Sequence, residues 1–404
     1  LKHVGPHKFK LRPGATPTRV GRPRFGTSQA TIINDWLEWA LNCTSVIDGK
    51  TVHTPLVERA DCTSWSSRLV LAPKYKDTTD KGSVPDGIRV TWAGTGANEM
   101  ILKTVPTYPD AWQQIYKVAN LKYKFSADGL KQYWSIPLDE ESRDVTAFWT
   151  PKGLYRFTRL VMGTKNAATV AQNAYTHALN AYLHEKSQQN IANFADDFIG
   201  GANTYESLLL HFENFLKMCK ETGITLNPAK VKVGYVKQTW YGMNIDQGKI
   251  TPTDRNLCPV KRMVAPKNKS ELRSILGVFN QWHNFIPHYM EEGSPAFIMN
   301  SLMPAKVEFK WTQKHEDALQ ELRRIVLETD ICLYAPDHNH KLILETDAST
   351  DGWGAILYQW INKEKKVIKM WSKAWKTEAW RKKPTYHREA LSLIHISEPT
   401  RHHV

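Results

Sequence analysis

Apolar residues recur at helical spacing in three stretches of the chain. Over 204–220, Leu208, Leu209, Phe212, Phe215, Leu216 and Cys219 form one stripe, which Thr204 can cap and Gly223 can stop. From Ser270, Leu272, Ile275, Leu276, Phe279 and Ile286 form a second. After Thr312, Ala318, Leu319, Leu322, Ile325 and Val326 form a third. Each stripe reads first as a core face. Two stretches read as hairpins instead. T-A-F-W-T-P-K-G-L-Y (146–155) joins two aromatic, β-branched runs through a Pro-Lys-Gly turn. I-A-N-F-A-D-D-F-I-G-G (191–201) places apolar runs on both sides of two acids. Between these hairpins, M-G-T-K-N-A (162–167) leads into a helix. From about 31 to 245 strands and helices mix without regular βα alternation, which predicts an α+β fold. Turn formers at 246–270 and 335–341 mark boundaries.

Composition narrows the class. A chain of 404 residues suggests two or three domains, and 41% hydrophobic with 23% charged residues excludes wholesale disorder. The 54 Lys and Arg exceed the 40 Asp and Glu, a net charge of +14 that favours a polyanionic partner, nucleic acid first. Lys2, Lys8, Lys10, Arg12, Arg19, Arg22 and Arg24 stand among Pro and Gly in 1–30, so this stretch reads as an extended basic arm wrapping the next domain. No apolar run reaches the ~18–20 residues of a membrane span, and no secretory signal opens the chain. The absence of an initiating Met reads as a fragment or processed piece. Cys43, Cys62, Cys219, Cys258 and Cys332 include no C-x-x-C pair, which points away from a zinc ribbon or disulfide framework and towards a reducing compartment.

The candidate chemistry lies in carboxylates. Asp196 and Asp197 would sit at the tip of a hairpin with apolar flanks, where adjacent like charges are costly without a cation. Oxygen ligands favour Mg²⁺. Asp128, at the end of the strand-like Y-K-F-S-A-D, supplies a third acid. Three carboxylates at the ends of neighbouring strands suit two-metal phosphoryl transfer. A second acidic segment, L-I-L-E-T-D-A-S-T-D-G-W-G-A-I-L-Y (342–358), invites a calcium-loop reading. That loop needs a bidentate Glu at its twelfth position, where Tyr358 stands, and its flanks read as strands.

The order of these pieces resembles the reverse transcriptase of gypsy-type long-terminal-repeat retrotransposons and retroviruses. F-S-A-D (125–128), with Tyr133 five residues on, is similar to polymerase motif A, and G-T-K-N-A (163–167) to motif B. F-A-D-D (194–197) resembles the Y-x-D-D box, L-N-P-A-K (226–230) motif D, and W-Y-G-M-N-I (240–245) the primer grip. The stretch 272–287 resembles the thumb helix. The resemblance spans roughly 5–394. It implies a right-hand polymerase with fingers and palm at 31–245, thumb at 246–305 and connection at 306–340, then a partial ribonuclease H-like α/β domain at 341–394. The last residues, 395–404, fit nothing upstream and resemble a translated sequencing adapter.

The resemblance also implies roles. Asp128, Asp196 and Asp197 would carry two Mg²⁺ ions, with Mn²⁺ as a substitute. Tyr133 would be the steric gate that excludes a ribose 2′-hydroxyl. Lys74, Lys76 and Arg89 of the fingers strands, with Gly163 of motif B, would bind the nucleotide, and Lys230 would reach the leaving pyrophosphate. Trp240, Tyr241 and Gly242 would grip the primer. Asp347 would be the first ribonuclease H ligand and Glu389 the second. The family's two further acids would lie downstream, so ribonuclease H is expected to be incomplete and inactive. The implied partners are an RNA template, a DNA primer, their RNA/DNA hybrid and dNTP, in a cytoplasmic particle or the nucleus, with no membrane. Oligomeric state, host and natural primer stay open.

Departures from the pattern accompany the likeness. The family's P-F-G reads Val161-Met162-Gly163, the proline after N-A is Ala168, and the Tyr of Y-x-D-D is Phe194. The fingers box reads T-W-A-G-T-G-A-N and keeps only Asn98 of its polar signature, which would weaken fingers closure. None of these touches the acids, so the reading is a divergent reverse transcriptase. The alternatives are a catalytically silent nucleic-acid-binding relic and an RNA-directed RNA polymerase, the latter opposed by Tyr133.

Overall fold

The structure is a computed structural model that describes residues 1, 4–47, 49–61, 63–74, 87–183, 190–328, 331–348, 352–375 and 384. Lys76, Glu389 and the tail 395–404 fall outside the described residues, as does the side chain of Lys74. Internal contacts divide the chain into two units, Leu1–Val118 with Tyr123–Gly234, and Ala119–Lys122 with Tyr235–Val404.

The first unit opens with the basic stretch, which is extended and also packed. Phe9 is buried, the His7 amide donates to Pro137 O at 2.8 Å, and Trp149 Nε1 donates to Val20 O at 2.7 Å. Helix α1 (Thr27–Leu41) begins inside the span read as arm and buries Ile33, Leu37 and Ala40. Strand β1 (Val57–Arg59) follows, then a hairpin of β2 (Arg68–Lys74) and β3 (Gly87–Ala93). Strand β4 (Tyr123–Asp128) precedes β5 (Phe148–Thr150) and β6 (Gly153–Phe157), the hairpin read from the Pro-Lys-Gly turn. Asn166 precedes helix α2 (Ala167–Tyr182), as the M-G-T-K-N-A reading expects. Strands β7 (Ile191–Phe194) and β8 (Asp197–Ala202) form the acidic hairpin, followed by helix α3 (Tyr205–Thr222) and strand β9 (Lys232–Tyr235).

Four strands make the central antiparallel sheet in the order β9-β4-β8-β7. One core joins it to both helices: Phe125 and Ala127 from β4, Phe198 from β8, Tyr175 and Leu179 from α2, and Leu208, Phe215 and Met218 from α3. α3 matches its stripe at both ends. Thr204 Oγ1 accepts from Ser207 N at 3.2 Å, and Gly223 ends the helix at φ 77°. Two stripe residues depart from expectation, since Leu209 and Leu216 are exposed. The stripe is wider than the one face the sheet covers.

The second unit contains a four-stranded sheet of β10 (Lys237–Trp240), β11 (Met243–Asp246), β12 (Lys249–Pro252) and β13 (Leu333–Tyr334). Part of the turn-rich 246–270 stretch is therefore built structure. Gln247 and Gly248 turn one hairpin, and helix α4 (Asp254–Lys261) follows β12. Helix α5 (Lys269–Asn280) starts at its Asn268 cap and buries Leu272 and Phe279. It stops before Ile286, which follows a separate short turn at His283–Phe285. Helix α6 (Pro295–Asn300) packs on α7 (Gln313–Glu328), whose Ala318, Leu319, Leu322 and Val326 are buried. Three antiparallel strands complete the unit: β14 (Ile343–Ala348), β15 (Gly352–Ile361) and β16 (Glu364–Ala374). The flanks of the D-x-S-x-D-G segment are thus strands, as read.

Candidate active site in the first unit

β4 ends in Asp128 and β8 begins in Asp197, and their register sets these residues opposite each other. Directly opposed residues on an antiparallel pair have Cβ atoms about 4.5–5.5 Å apart. Asp197 also pairs with Phe194 on β7, so Ala195 and Asp196 form the turn between them. All three acids therefore stand at one end of the central sheet.

The turn is held from below. Ala195 takes φ 53°, a left-handed conformation that costs an ordinary residue about 1–2 kcal/mol. Hydrogen bonds on either side offset that cost. Ala195 N donates to Gln172 Oε1 at 2.7 Å, Gln132 Nε2 donates to Ala195 O at 2.9 Å, and Gly129 N donates to Asp196 O at 2.7 Å. Gln172 is fully buried on α2, and its Nε2 donates to Asn193 Oδ1 at 3.1 Å. Gly129 must be glycine for this approach, because a Cβ there would lie 2.8 Å from Tyr175 Oη. None of these supports is singled out by the sequence reading. The one local signal is a polar pair, Gln172 and Asn173, interrupting an Ala-rich helix.

Asp196 and Asp197 are solvent-exposed at the rim, yet protein atoms crowd the Asp197 carboxyl. That desolvation, followed by the charges of Asp196 and Asp128, pushes its pKa up to about 6, with Lys230 pulling the other way. Lys230 stands on a short turn after Asn227, and its Nζ lies 2.8 Å from Asp128 Oδ2. The lysine of L-N-P-A-K is thus brought to the acid that ends F-S-A-D. Among the described residues no three His, Cys, Asp or Glu side chains converge to hold a metal ion.

A cavity of about 450 Å³ lies in the same unit, lined in part by Arg89, Tyr133, Lys131, Trp134, Trp39 and Met162. Tyr133 is half-buried, and burial followed by the charge of Asp196 raises its phenol pKa. The β2–β3 hairpin sets Arg89 opposite Ala72 and Lys74 opposite Gly87. Gly163 takes φ 103°, and its carbonyl accepts from Asn98 Nδ2 at 2.8 Å. Asn98 Oδ1 in turn accepts from Lys165 N at 2.8 Å. Asn98 therefore fixes the G-T-K-N-A loop from both sides.

The remaining candidates belong to the second unit. Trp240 is buried, and Tyr241 and Gly242 turn the β10–β11 hairpin at φ 49° and 71°. Asp347 pairs with Gly354 and lines a cavity of about 170 Å³ with Glu345, His288 and Glu291.

Comparison with known proteins fits this geometry. Residues 91–282 match the family model for reverse transcriptase (RNA-dependent DNA polymerase), and residues 311–404 that for the RNase H-like domain found in reverse transcriptase. The enzymatic polyprotein of Cauliflower mosaic virus (strain NY8153) is 28% identical over 233 residues, 57% of this chain and 33% of that protein. The retrovirus-related Pol polyprotein from transposon 412 of Drosophila melanogaster is 27% identical over 350 residues, 86% of this chain and 27% of that protein. The chain thus spans about a third or less of the length of these relatives. Its fold matches the foamy viral protease-reverse transcriptase solved with an RNA/DNA hybrid, at TM-score 0.77 and 18% identity over 98% of this chain and 50% of that one. A second structure of that protein, with ds DNA, matches at TM-score 0.78 and 19% identity, covering 98% and 65%.

The chain carries a reverse transcriptase domain followed by an RNase H-like domain. That is the arrangement of retroelement Pol polyproteins, including the gypsy-type one of transposon 412. Reverse transcriptases as a family use divalent metal ions.

Proposed function

We propose that this chain is an RNA-directed DNA polymerase that adds dNTP to a primer 3′-hydroxyl on an RNA template. The observation that carries the proposal is the strand register that sets Asp128 against Asp197, with Asp196 on the adjoining turn. The donors fit a hard divalent cation, since all are carboxylate oxygens and their mutual repulsion disfavours the fully ionised site without one. Asp128 and Asp196, with Asp197 beside them, would hold Mg²⁺, or Mn²⁺ in its place. When bound, the metal supplies activation of the attacking hydroxyl and neutralisation of the leaving phosphates.

The chain's own residues do the rest. Arg89 offers a planar, permanently charged donor to the triphosphate. Tyr133 presents an aromatic edge to the sugar and keeps its proton, its pKa being raised. Lys230 is charge-paired with Asp128 and is free to turn to the pyrophosphate once that acid is engaged elsewhere. The RNA/DNA hybrid and ds DNA named for the foamy viral structures support a template–primer as the partner. Trp240, Tyr241 and Gly242 are our candidates for its primer strand. For the RNase H-like domain we assign Asp347 as a candidate ligand and no cleavage step.

Primer extension on an RNA template with Mg²⁺ and dNTP tests the reading. Extension should occur with the wild type and vanish in the Asp196→Asn, Asp197→Asn double variant. A folded wild type that binds template–primer and adds no nucleotide would be a silent relic, and the proposal would fall.

A further inference from the structure

The cavity of about 450 Å³ holds a cation that the reading above does not use. Lys131 lines it together with Arg89 and Tyr133. Its ammonium lies 4.3 Å from the ring centroid of Trp39 and 5.3 Å from that of Trp134. The two indoles lie with centroids 5.5 Å apart and planes tilted by 43°. Among the described residues no carboxylate lies within ion-pair distance of Lys131. A lysine that keeps company with two π-faces in place of an acid contributes through their quadrupoles.

The backbone makes the arrangement specific. Lys131 takes φ 53°, ψ 45°, the left-handed conformation that lysine pays to adopt. It is the residue that bends the chain from β4 into the short turn Gln132–Ser135. That turn is moored at both ends, and the Leu1 ammonium also donates to Ser135 O at 2.7 Å. At one end the buried Gln132 side chain donates to Ala195 O, on the turn that carries the acids. At the other, Trp134 and Lys131 close on Trp39, which belongs to α1. Tyr133 lies between them, and few backbone bonds hold so short a turn: Trp134 N to Lys131 O at 2.9 Å and Ile136 N to Tyr133 O at 3.2 Å.

We propose that the Lys131–Trp39–Trp134 clamp is a positioning device that sets the height of Tyr133 in the cavity and so the discrimination between deoxyribo- and ribonucleotides. Lys131 is a positioning residue here, acting through the ring of Tyr133. The inference rests on the polymerase reading and on Tyr133 as the gate. With the clamp released, the ring moves away from the sugar and a 2′-hydroxyl gains room.

The test is the ratio of kcat/KM for dNTP to that for the matching rNTP, measured for wild type, Lys131→Gly, Lys131→Arg, Trp39→Leu and Tyr133→Ala. Glycine adopts the left-handed conformation freely, so Lys131→Gly removes the ammonium while relieving the backbone. The thermal midpoint should hold or rise while discrimination falls about three- to fivefold, the weight of one exposed cation–π contact. Trp39→Leu, on a different element, should lower discrimination similarly, and Lys131→Arg should restore it, since arginine also stacks on indole. Tyr133→Ala separates the two levels. If it gains rNTP use while Lys131→Gly and Trp39→Leu keep the wild-type ratio, the clamp proposal is wrong and the gate stands. If Tyr133→Ala gains no rNTP use, the gate itself is misassigned and the clamp falls with it.

Discussion

Asp197 shows how far a single residue can be read from sequence and where that reading stops. Its place in an acidic hairpin is legible from the apolar runs around it, because strand periodicity is local. Its register against Asp128 is not legible, since the two stand 69 positions apart and only the folded sheet pairs them. The same holds for Gln172, whose role depends on the burial of α2 against β7. Lys131 is a further case, because nothing in its neighbourhood announces Trp39. One consequence is measurable. The Asp197 pKa is raised in the folded chain, so its protonation favours folding. That contribution is present below its ordinary value and is lost as pH rises through about 6. In EDTA, Asp197→Asn should therefore be more stable than wild type at pH 7, and the gap should shrink by pH 5. Urea unfolding of both at the two values checks this, and a gap that ignores pH would refute the crowding of the site.

At the scale of elements, legibility followed caps. Helix α3 was readable almost to the residue because Thr204 and Gly223 act within one turn of its ends. The stripe beginning at Leu272 over-ran its helix, since Ile286 continues the apolar pattern after the helix has ended at Asn280. Turn formers at 246–270 misled in the opposite sense. Gln247-Gly248 is a hairpin turn and Thr253 stands at the start of α4, so punctuation inside a folded region looks the same as a linker. For α3 the prediction is quantitative. Thr204→Ala should cost about 1 kcal/mol through the lost cap. Gly223→Ala should cost about 1–2 kcal/mol through left-handed strain at φ 77°. The two lie at opposite ends of the helix, so their effects in urea titrations should add. Strong coupling between them would mean that α3 frays as a whole.

Across the whole molecule, charge was the first observation and remains a testable one. A net +14 should make template–primer affinity fall at least tenfold between about 50 and 200 mM salt, with a log–log slope counting the phosphates covered. A flat salt response would place the excess charge away from the binding groove. No helix among the described residues is long and apolar enough to cross a membrane. The division into two units has a further consequence for anyone who wishes to take the molecule apart. Residues Ala119–Lys122 belong to the second unit although the first surrounds them in sequence. There Ala119 O accepts from Gly248 N at 2.8 Å, and Asn120 Nδ2 donates to Pro336 O at 2.7 Å. One donor and one acceptor of the later stretch are thus met by a four-residue stitch from the earlier half. A clone ending at Gly234 would strand the stitch, and a clone starting at Tyr235 would lack it. The second unit is, as a physical object, built from two separate stretches of the sequence.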